Sequence, residues 1–419
     1  MIIRNSLVFI LFELINKAIP FLLLPILTRF LTPYDYGIIA SFMAFISFLA
    51  IFIGLSGHGA IDANFFRLEK NRLGIYIANV LIILLITTLL SLLFVFVFSD
   101  MIENKLYISV EWQILAVIVA LGQFITLINL SLWVIEQKPL QFGLYQFLQT
   151  ILITAISIIL IVGYSYNWEG QLIGIITGTL VLSFVSLIVL YKRGYLSLKI
   201  DKLDMKDFLK FGIPMVPHQL SGWLRTQGDK FIIISILGSS STGLFAVGQQ
   251  MGLLMAILMG ALNKALYPIL FKFLSNDMTK DSKNKLVKFS YLLFLGIALM
   301  GVVLILLLEL LYPYFLGNEF QDSLILTQLI VFGFMLEGFY YVVVNYIFYF
   351  KKTSSLAKIT FTVSILHVGI SFLFVKLFGI VGAGYALVIS GVIQFVLIWH
   401  LSNKIYPMPW FSFWRKNEI

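Results

Sequence analysis

Residues 75–98 read IYIANVLIILLITTLLSLLFVFVF, an unbroken run without a single charge. A helix needs about 20 apolar residues to cross the hydrocarbon core of a bilayer. Inside hydrocarbon every backbone N–H and C=O must be bonded within the segment or to a closed barrel, so a lone apolar run of this length has to be helical. Runs of this kind recur along the chain. Breaks rich in charge, Gly or Pro separate twelve of them, at 6–28, 34–56, 75–98, 112–134, 141–163, 170–191, 213–237, 243–271, 287–311, 323–349, 355–377 and 379–401. Together they take up most of a chain that is 60% hydrophobic and only 12% charged, too little polar material to clothe a water-soluble domain of 419 residues. The expectation is an all-α polytopic membrane protein with about 12 transmembrane helices.

The opening MIIRNSLVFILF carries no A-x-A cleavage pattern before its helix continues, so it reads as a retained first span. Cysteine is absent, which removes disulfides, thiolate nucleophiles and thiolate metal sites. The four histidines, His58, His218, His367 and His400, are too scattered to form a metal motif. No G-x-x-x-x-G-K-[ST] occurs, so no nucleotide-binding P-loop is expected, and neither a cofactor nor a metal is called for. The loops that would carry the catalytic acids or arginines of a membrane-embedded glycan polymerase are short, the longest running over about 99–111.

An even number of spans puts both termini on one side, and the charges say which. The N-terminus, the loops after each even-numbered span and the C-terminal tail hold most of the 29 basic residues, among them Arg67, Lys70, Arg72, Lys138, Lys192 and Arg193. The opposite loops hold only Arg29, Lys105 and Lys376. Basic residues concentrate in cytoplasmic loops, which predicts cytoplasmic termini. The net charge of +9 is thus a topology signal and implies no nucleic-acid partner.

The longest basic segment, 192–211, divides the helices into two sets of six. The expected organisation is an N-terminal lobe at 1–191, the linker, a C-terminal lobe at 212–402 and a basic tail at 403–419. Asp201, Asp204 and Asp207 recur every third residue in the linker, interleaved with Lys199, Lys202, Lys206 and Lys210. That pattern suits the polar face of an interfacial helix better than a magnesium–diphosphate site. The halves also resemble one another. AIPFLLLP at 18–25 and YGIIA at 36–40 are echoed by GIPMVPH at 212–218 and TGLFA at 242–246, with a twelve-residue insertion between the anchors and Gly37 standing 206 residues before Gly243. Two half-chains of like orientation make parallel repeats, an architecture found among secondary transporters.

Seven charged residues fall within spans: Glu13, Lys17, Arg225, Asp229, Lys230, Lys264 and Glu337. Each costs about 2.5–3.5 kcal/mol at a helix centre on insertion scales, so such groups face a bundle interior or a wet cavity. Glu13, Asn16, Lys17 and Pro20 share one face of the first helix. There Glu13 and Lys17 either neutralise each other or present Lys17 to a ligand. In the seventh span His218, Ser221, Gly222, Arg225 and Asp229 form a continuous polar stripe, with Lys230 off it near the outer end. Arg225 is the strongest ligand candidate, because a planar, permanently charged fork matches phosphate oxygens. Gln249, Gly252, Ala256, Gly260 and Asn263 line one face of the eighth span beside Lys264, where small residues point to close helix packing. Glu337 is a candidate proton or cation carrier. Finally, Pro20 and Pro25 suggest a bendable first helix, while Thr32, Pro33 and Asp35 suit an N-cap, a first helical residue and a first-turn acid.

Two stretches carry a family resemblance. IPFLLLPILTRFLTPYDYGIIASF resembles the joined first and second helices of bacterial polysaccharide-unit flippases, and FGIPMVPHQLSGWLRTQGDKFIIISILGSSSTGLFAVGQQ at 211–250 resembles their second-half signature. Those motifs span about sixty residues, while length, helix count and linker position match throughout. The family is the O-antigen type flippases of the multidrug/oligosaccharidyl-lipid/polysaccharide exporter superfamily. The resemblance implies two six-helix lobes forming a V around a central cavity lined by helices 1, 2, 7 and 8. It further implies a substrate made of an undecaprenyl-pyrophosphate-linked oligosaccharide, carried from the cytoplasmic to the periplasmic leaflet of the bacterial inner membrane. On that reading Arg225, with Lys17, Lys264 and Lys230, binds pyrophosphate, and His218, Gln249, Gln250 and Trp223 contact sugar. Glu13, Asp229 or Glu337 would couple transport to an H⁺ or Na⁺ gradient, with polysaccharide polymerase machinery as a partner. A cation-coupled multidrug exporter of the same fold and a lipid II flippase remain open alternatives; four basic against three acidic residues within the spans favour an anionic cargo.

Overall fold

The computed structural model describes residues 2–197, 199–275 and 279–411, and the side chains of 2–4, 6, 7, 10 and 17 lie outside that description. The Lys17 side chain, a predicted pyrophosphate ligand, therefore falls outside the described residues, as do Arg415 and Lys416 of the tail. The described residues are helical, without strands. In chain order the helices are α1 (Ile2–Phe30), α2 (Pro33–Gly54), α3 (Gly57–Phe65), α4 (Lys70–Leu106), α5 (Val110–Ile135), α6 (Pro139–Ile158), α7 (Trp168–Lys192), α8 (Lys202–Leu237), α9 (Ser239–Leu274), α10 (Lys280–Phe315), α11 (Leu324–Tyr349), α12 (Thr353–Phe378) and α13 (Ile380–Ile405). One π-helical turn, Ile159–Gly163, continues α6, and a 3₁₀ turn, Asn318–Ser323, leads into α11.

Eleven of the described helices are long and apolar enough to cross a membrane. The twelfth expected span, carried by α8, is long enough, but its stripe of His, Arg, Asp and Lys keeps it out of that set. The short helix α3 was not expected. Leu55 and Ser56 adopt left-handed φ values of 46° and 54°, which ends α2 and redirects the chain into a separate nine-residue helix.

The Thr32–Pro33–Asp35 turn is a complete capping box. The Asp35 N–H donates to Thr32 Oγ1 at 3.2 Å, the Thr32 N–H donates to Asp35 Oδ2 at 2.9 Å, and Pro33 opens the helix. Pro20 and Pro25 lie inside α1 without ending it.

The chain forms two compact units, Met1–Gly243 and Leu244–Ile419. In the first, α2 packs on α5, α4 and α8, while α1 lies on α6 and α6 on α7. Phe42, Ile46, Leu49 and Ile53 of α2 are fully buried in its core. The two glycines paired by the repeat pattern meet here. A Cβ on Gly37 would overlap the Ser239 carbonyl, and one on Gly243 would overlap the Pro33 carbonyl. A shift of 206 residues carries Pro33 onto Ser239 and Gly37 onto Gly243, so this close crossing is its own image under the repeat. The Ser239 hydroxyl secures it by donating to the Tyr34 carbonyl at 2.8 Å.

In the second unit α11 packs on α13 and α10, and α12 on α13. Gly252 of α9 lies against Ile330 of α11, in keeping with the small-residue reading, whereas Gly260 faces open space. Beyond α13 the chain turns back. Met408 and Trp410 are buried among Val343, Ile347 and Leu286, with the Tyr291 hydroxyl donating to the Trp410 carbonyl at 3.0 Å.

Candidate transport site

Helix α8 begins with Asp201 as its N-cap, whose side chain accepts from the Leu203 N–H at 2.9 Å. The helix then runs without interruption past Pro214 and Pro217 to Leu237. Trp223 fixes its rotation. The indole N–H lies 3.0 Å from Ser47 Oγ and 3.2 Å from the Ala44 carbonyl, both acceptors on α2. The ring stands in a ladder of aromatics, Phe52–Phe48–Trp223–Phe231, with successive centroids 5.1, 5.2 and 5.0 Å apart. At 100° per residue, His218, Ser221, Arg225 and Asp229 lie roughly 120–160° around the helix from Trp223. The polar stripe therefore points away from α2. His218 and Arg225 are exposed, Ser221 is half-buried and Asp229 is buried. Lys230 is half-buried and donates to Gln227 Oε1 at 2.9 Å, folding back along its own helix.

Elsewhere in the first unit Glu13 is exposed on α1. Its neighbour Asn16 turns toward α6, donating to Gln146 Oε1 at 3.5 Å and accepting from Thr150 Oγ1 at 3.3 Å. The second unit holds the remaining predicted site residues. Gln249 and Gln250 are half-buried near the start of α9, and Lys264 is exposed further along it. Next to Lys264, Asn263 Oδ1 accepts from Asn345 of α11 at 2.8 Å. Glu337 accepts from the Tyr341 hydroxyl at 2.8 Å. The residues singled out from sequence thus separate by unit: Glu13, His218, Trp223, Arg225, Asp229 and Lys230 in the first, Gln249, Gln250, Lys264 and Glu337 in the second.

The sequence did not disclose a second polar cluster, which anchors the basic loops of the first unit. Arg72 on α4 makes a two-pronged ion pair with Asp204 and reaches Asp201 at 3.1 Å. Tyr76 donates to Asp207 at 3.0 Å, and Asn64 does so at 3.4 Å. Asn79, fully buried, donates to the Lys199 carbonyl and accepts from the Asp201 N–H, at 2.8 and 2.9 Å. The three linker aspartates, read from sequence as part of the polar face of an interfacial helix, are bound to α3 and α4. Beside them Glu136 accepts from Arg193 at 2.6 Å and Tyr195 at 2.5 Å, and pairs with Lys138 at 2.8 Å. Arg193 also donates to the fully buried Asn129 at 2.7 Å. Burial pushes the Glu136 carboxyl up, but the donors from Lys138, Tyr195 and Arg193 outweigh it and hold the group below its ordinary value. Burial and the Glu136 carboxylate push the Tyr195 phenol up to about 12. The usable sequence signal was Asn79 and Asn129, amides inside otherwise apolar spans whose four hydrogen-bonding positions demand partners.

Known proteins match this architecture. The family model described as polysaccharide biosynthesis protein matches residues 2–274. A Haemophilus influenzae relative named Lsg locus putative protein 1 is 25% identical, the match covering 88% of this chain and 90% of the relative. A putative O-antigen transporter of Shigella flexneri is 22% identical over 96% of this chain and 98% of its own. Among solved structures, an inward-facing MATE family multidrug resistance transporter of the MOP superfamily superposes with a TM-score of 0.72 at 15% identity, covering 93% of this chain and 94% of its own. The lipid II flippase MurJ in an inward closed conformation does so with a TM-score of 0.72 at 17% identity, covering 96% and 87%. Fold and matches define a multi-pass membrane transporter rather than an enzyme, folded as the MOP-superfamily transporters are. Within that class the chain belongs to the polysaccharide biosynthesis protein family.

Proposed function

We propose that the protein is a flippase that moves undecaprenyl-pyrophosphate-linked oligosaccharide units from the cytoplasmic to the periplasmic leaflet of the bacterial inner membrane, with both its termini cytoplasmic. The observation that carries this reading is the placement of Arg225. Helix α8 is pinned to α2 through Trp223, and this leaves an exposed guanidinium on the opposite face, within a helix of spanning length. A permanent cation in such a place is costly unless an anion meets it. A fork of N–H donors suits the two phosphates of a pyrophosphate. His218 lies on the same face and is suited to hydrogen-bond sugar hydroxyls; Gln249 and Gln250 would add amides, and Lys17 and Lys264 further positive charge. The Shigella relative named as a putative O-antigen transporter supports a glycan cargo.

Alternating access needs an element that opens. The Gly37–Gly243 crossing is suited to that role, because it holds two helix starts together by close backbone contact and the Ser239–Tyr34 hydrogen bond, with no ion pair among the described residues to break. Asp229, Glu337 and Glu13 are the candidates for coupling to H⁺ or Na⁺, Asp229 through its burial and Glu337 through the Tyr341 hydroxyl.

The test is complementation. In a strain lacking its own polysaccharide-unit flippase, the wild-type chain should restore surface glycan without raising drug resistance, and Arg225→Ala at equal protein level should not. Full export by Arg225→Ala would sink the pyrophosphate role. Drug resistance without glycan would favour a multidrug exporter.

A further inference from the structure

Helix α13 ends at Ile405, and the residues that follow, YPMPWF at 406–411, form an irregular strap that the transport reading does not use. A residue before proline is confined to extended backbone, and Tyr406 and Met408 each precede one. Tyr406 accordingly leaves the helix at φ −138° and ψ 98°. The prolines fix φ at 407 and 409, so the strap has little freedom left to lose on docking. Met408 and Trp410 are buried, Tyr406 is half-buried, and Pro407 and Phe411 between and beyond them are exposed.

Three helices of the second unit receive the strap. From the start of α10, Lys283 donates to the Pro407 carbonyl at 3.2 Å, and its ammonium stands 4.4 Å from the centre of the Tyr406 ring. Two turns further along, the Tyr291 hydroxyl donates to the Trp410 carbonyl. At the end of α11, Phe350 stacks on Tyr406 with centroids 5.0 Å apart and planes 24° apart. From α13, Asn403 accepts from the Met408 N–H at 3.0 Å, and Trp399 meets the Trp410 ring at 5.3 Å. Among the described residues no main-chain group of the strap bonds the main chain of α10 or α11. The Trp410 indole N–H is enclosed without an acceptor. Water accepts that N–H in a free strap, so docking carries a cost that undocking relieves.

A preformed proline-rich segment laid in an aromatic groove is a mode by which one protein binds a peptide of another. Here Tyr291, Phe350 and Trp399 supply the groove and the chain supplies the peptide. We propose that the groove is a peptide-binding site filled by the chain's own strap, which acts as a detachable clamp. Docked, the strap joins the start of α10 to the ends of α11 and α13 as one block. Undocked, it leaves the start of α10 free to move. The clamp does not depend on what the protein transports.

The test reads backbone hydrogen exchange of the protein in nanodiscs at residues 284–291, the amides that follow the unbonded first turn of α10. In a chain ending at Ile405 they should exchange about tenfold faster than in the wild type, while those of α12 keep their rate. A synthetic YPMPWF peptide should restore the slow exchange, and the same peptide with Ala for its Trp should not. In the full chain, Trp410→Ala and Lys283→Gln should each speed exchange at 284–291, which decides the matter if the shortened chain does not fold. Wild-type rates in the shortened chain, or in both full-length variants, overturn the proposal. So does faster exchange spread equally over α12, or a YPMPWF peptide without effect on the folded shortened chain.

Discussion

Arg72 and Arg225 belong to the same compact unit and live in opposite circumstances. Arg72 is held by Asp204 and Asp201 where the linker meets α4, and the surrounding Tyr76, Asn79 and Asn64 satisfy the rest of that cluster. Arg225 stands exposed on a face of α8 that Trp223 turns away from α2. The first arrangement spends charge on holding loops in place, since removing one partner strands a buried carboxylate. The second leaves a charge that no ion pair among the described residues takes up. On the proposed function, a fixed anchor at one end of α8 and an exposed cation further along it suit a helix that receives an anionic cargo.

Breaking the anchor should have the largest effect on the protein itself. Arg72→Ala leaves Asp204 buried without its partner and should destabilise the first unit by about 2–3 kcal/mol. Thermal unfolding in detergent would register this as an earlier transition, and exchanging the pair as Arg72→Asp with Asp204→Arg should recover part of the loss. Next comes the crossing of α2 and α9. Gly243→Val places branched carbons against the Pro33 carbonyl, so the two helix starts must separate. Cysteines placed at Tyr34 and Ser240 in this cysteine-free chain should cross-link in the wild-type background and fail to do so in Gly243→Val. Trp223→Phe removes one N–H that α2 accepts twice, at a cost of about 1 kcal/mol, and should lower the export rate by loosening the aim of Arg225.

The smallest effect concerns pH. The Glu136 carboxyl is held below its ordinary value in the folded protein. Its contribution is therefore complete above the unfolded value of about 4.3 and is lost as pH falls through the lower folded value. Unfolding midpoints measured from pH 6 down to about pH 3 should fall less steeply for Glu136→Gln than for the wild type.

The same contrast explains how much could be read beforehand. Hydropathy foretold the spanning helices because lipid leaves each of them to satisfy its own backbone. The α2 cap was legible in Thr32, Pro33 and Asp35 because its chemistry is local, and Gly37 and Gly243 were paired because a repeat leaves a constant offset. The polar stripe of α8 was visible as a period, and that period is what its rotation about Trp223 turns away from α2. The anchor was not legible. Arg72 and Asp204 stand 132 positions apart, and no local spacing announces which aspartate a given arginine will find. Lysines interleaved with the aspartates also made the linker read as the polar face of an interfacial helix. The inward turn of Met408 and Trp410 was hidden in a tail whose charges drew attention instead. The break that creates α3 rests on left-handed Leu55 and Ser56, whose turn signal, Ser56–Gly57 after Gly54, was masked by the apolar run before it.

The central claim is that Arg225 is the cation that receives the pyrophosphate. Affinity for an undecaprenyl-pyrophosphate-linked oligosaccharide, measured on purified wild type and Arg225→Ala in the same detergent, tests it directly. Binding weakened by about tenfold or more, with an unchanged unfolding midpoint, is the expected result. Equal affinity in the two proteins, with the variant folded, would contradict it.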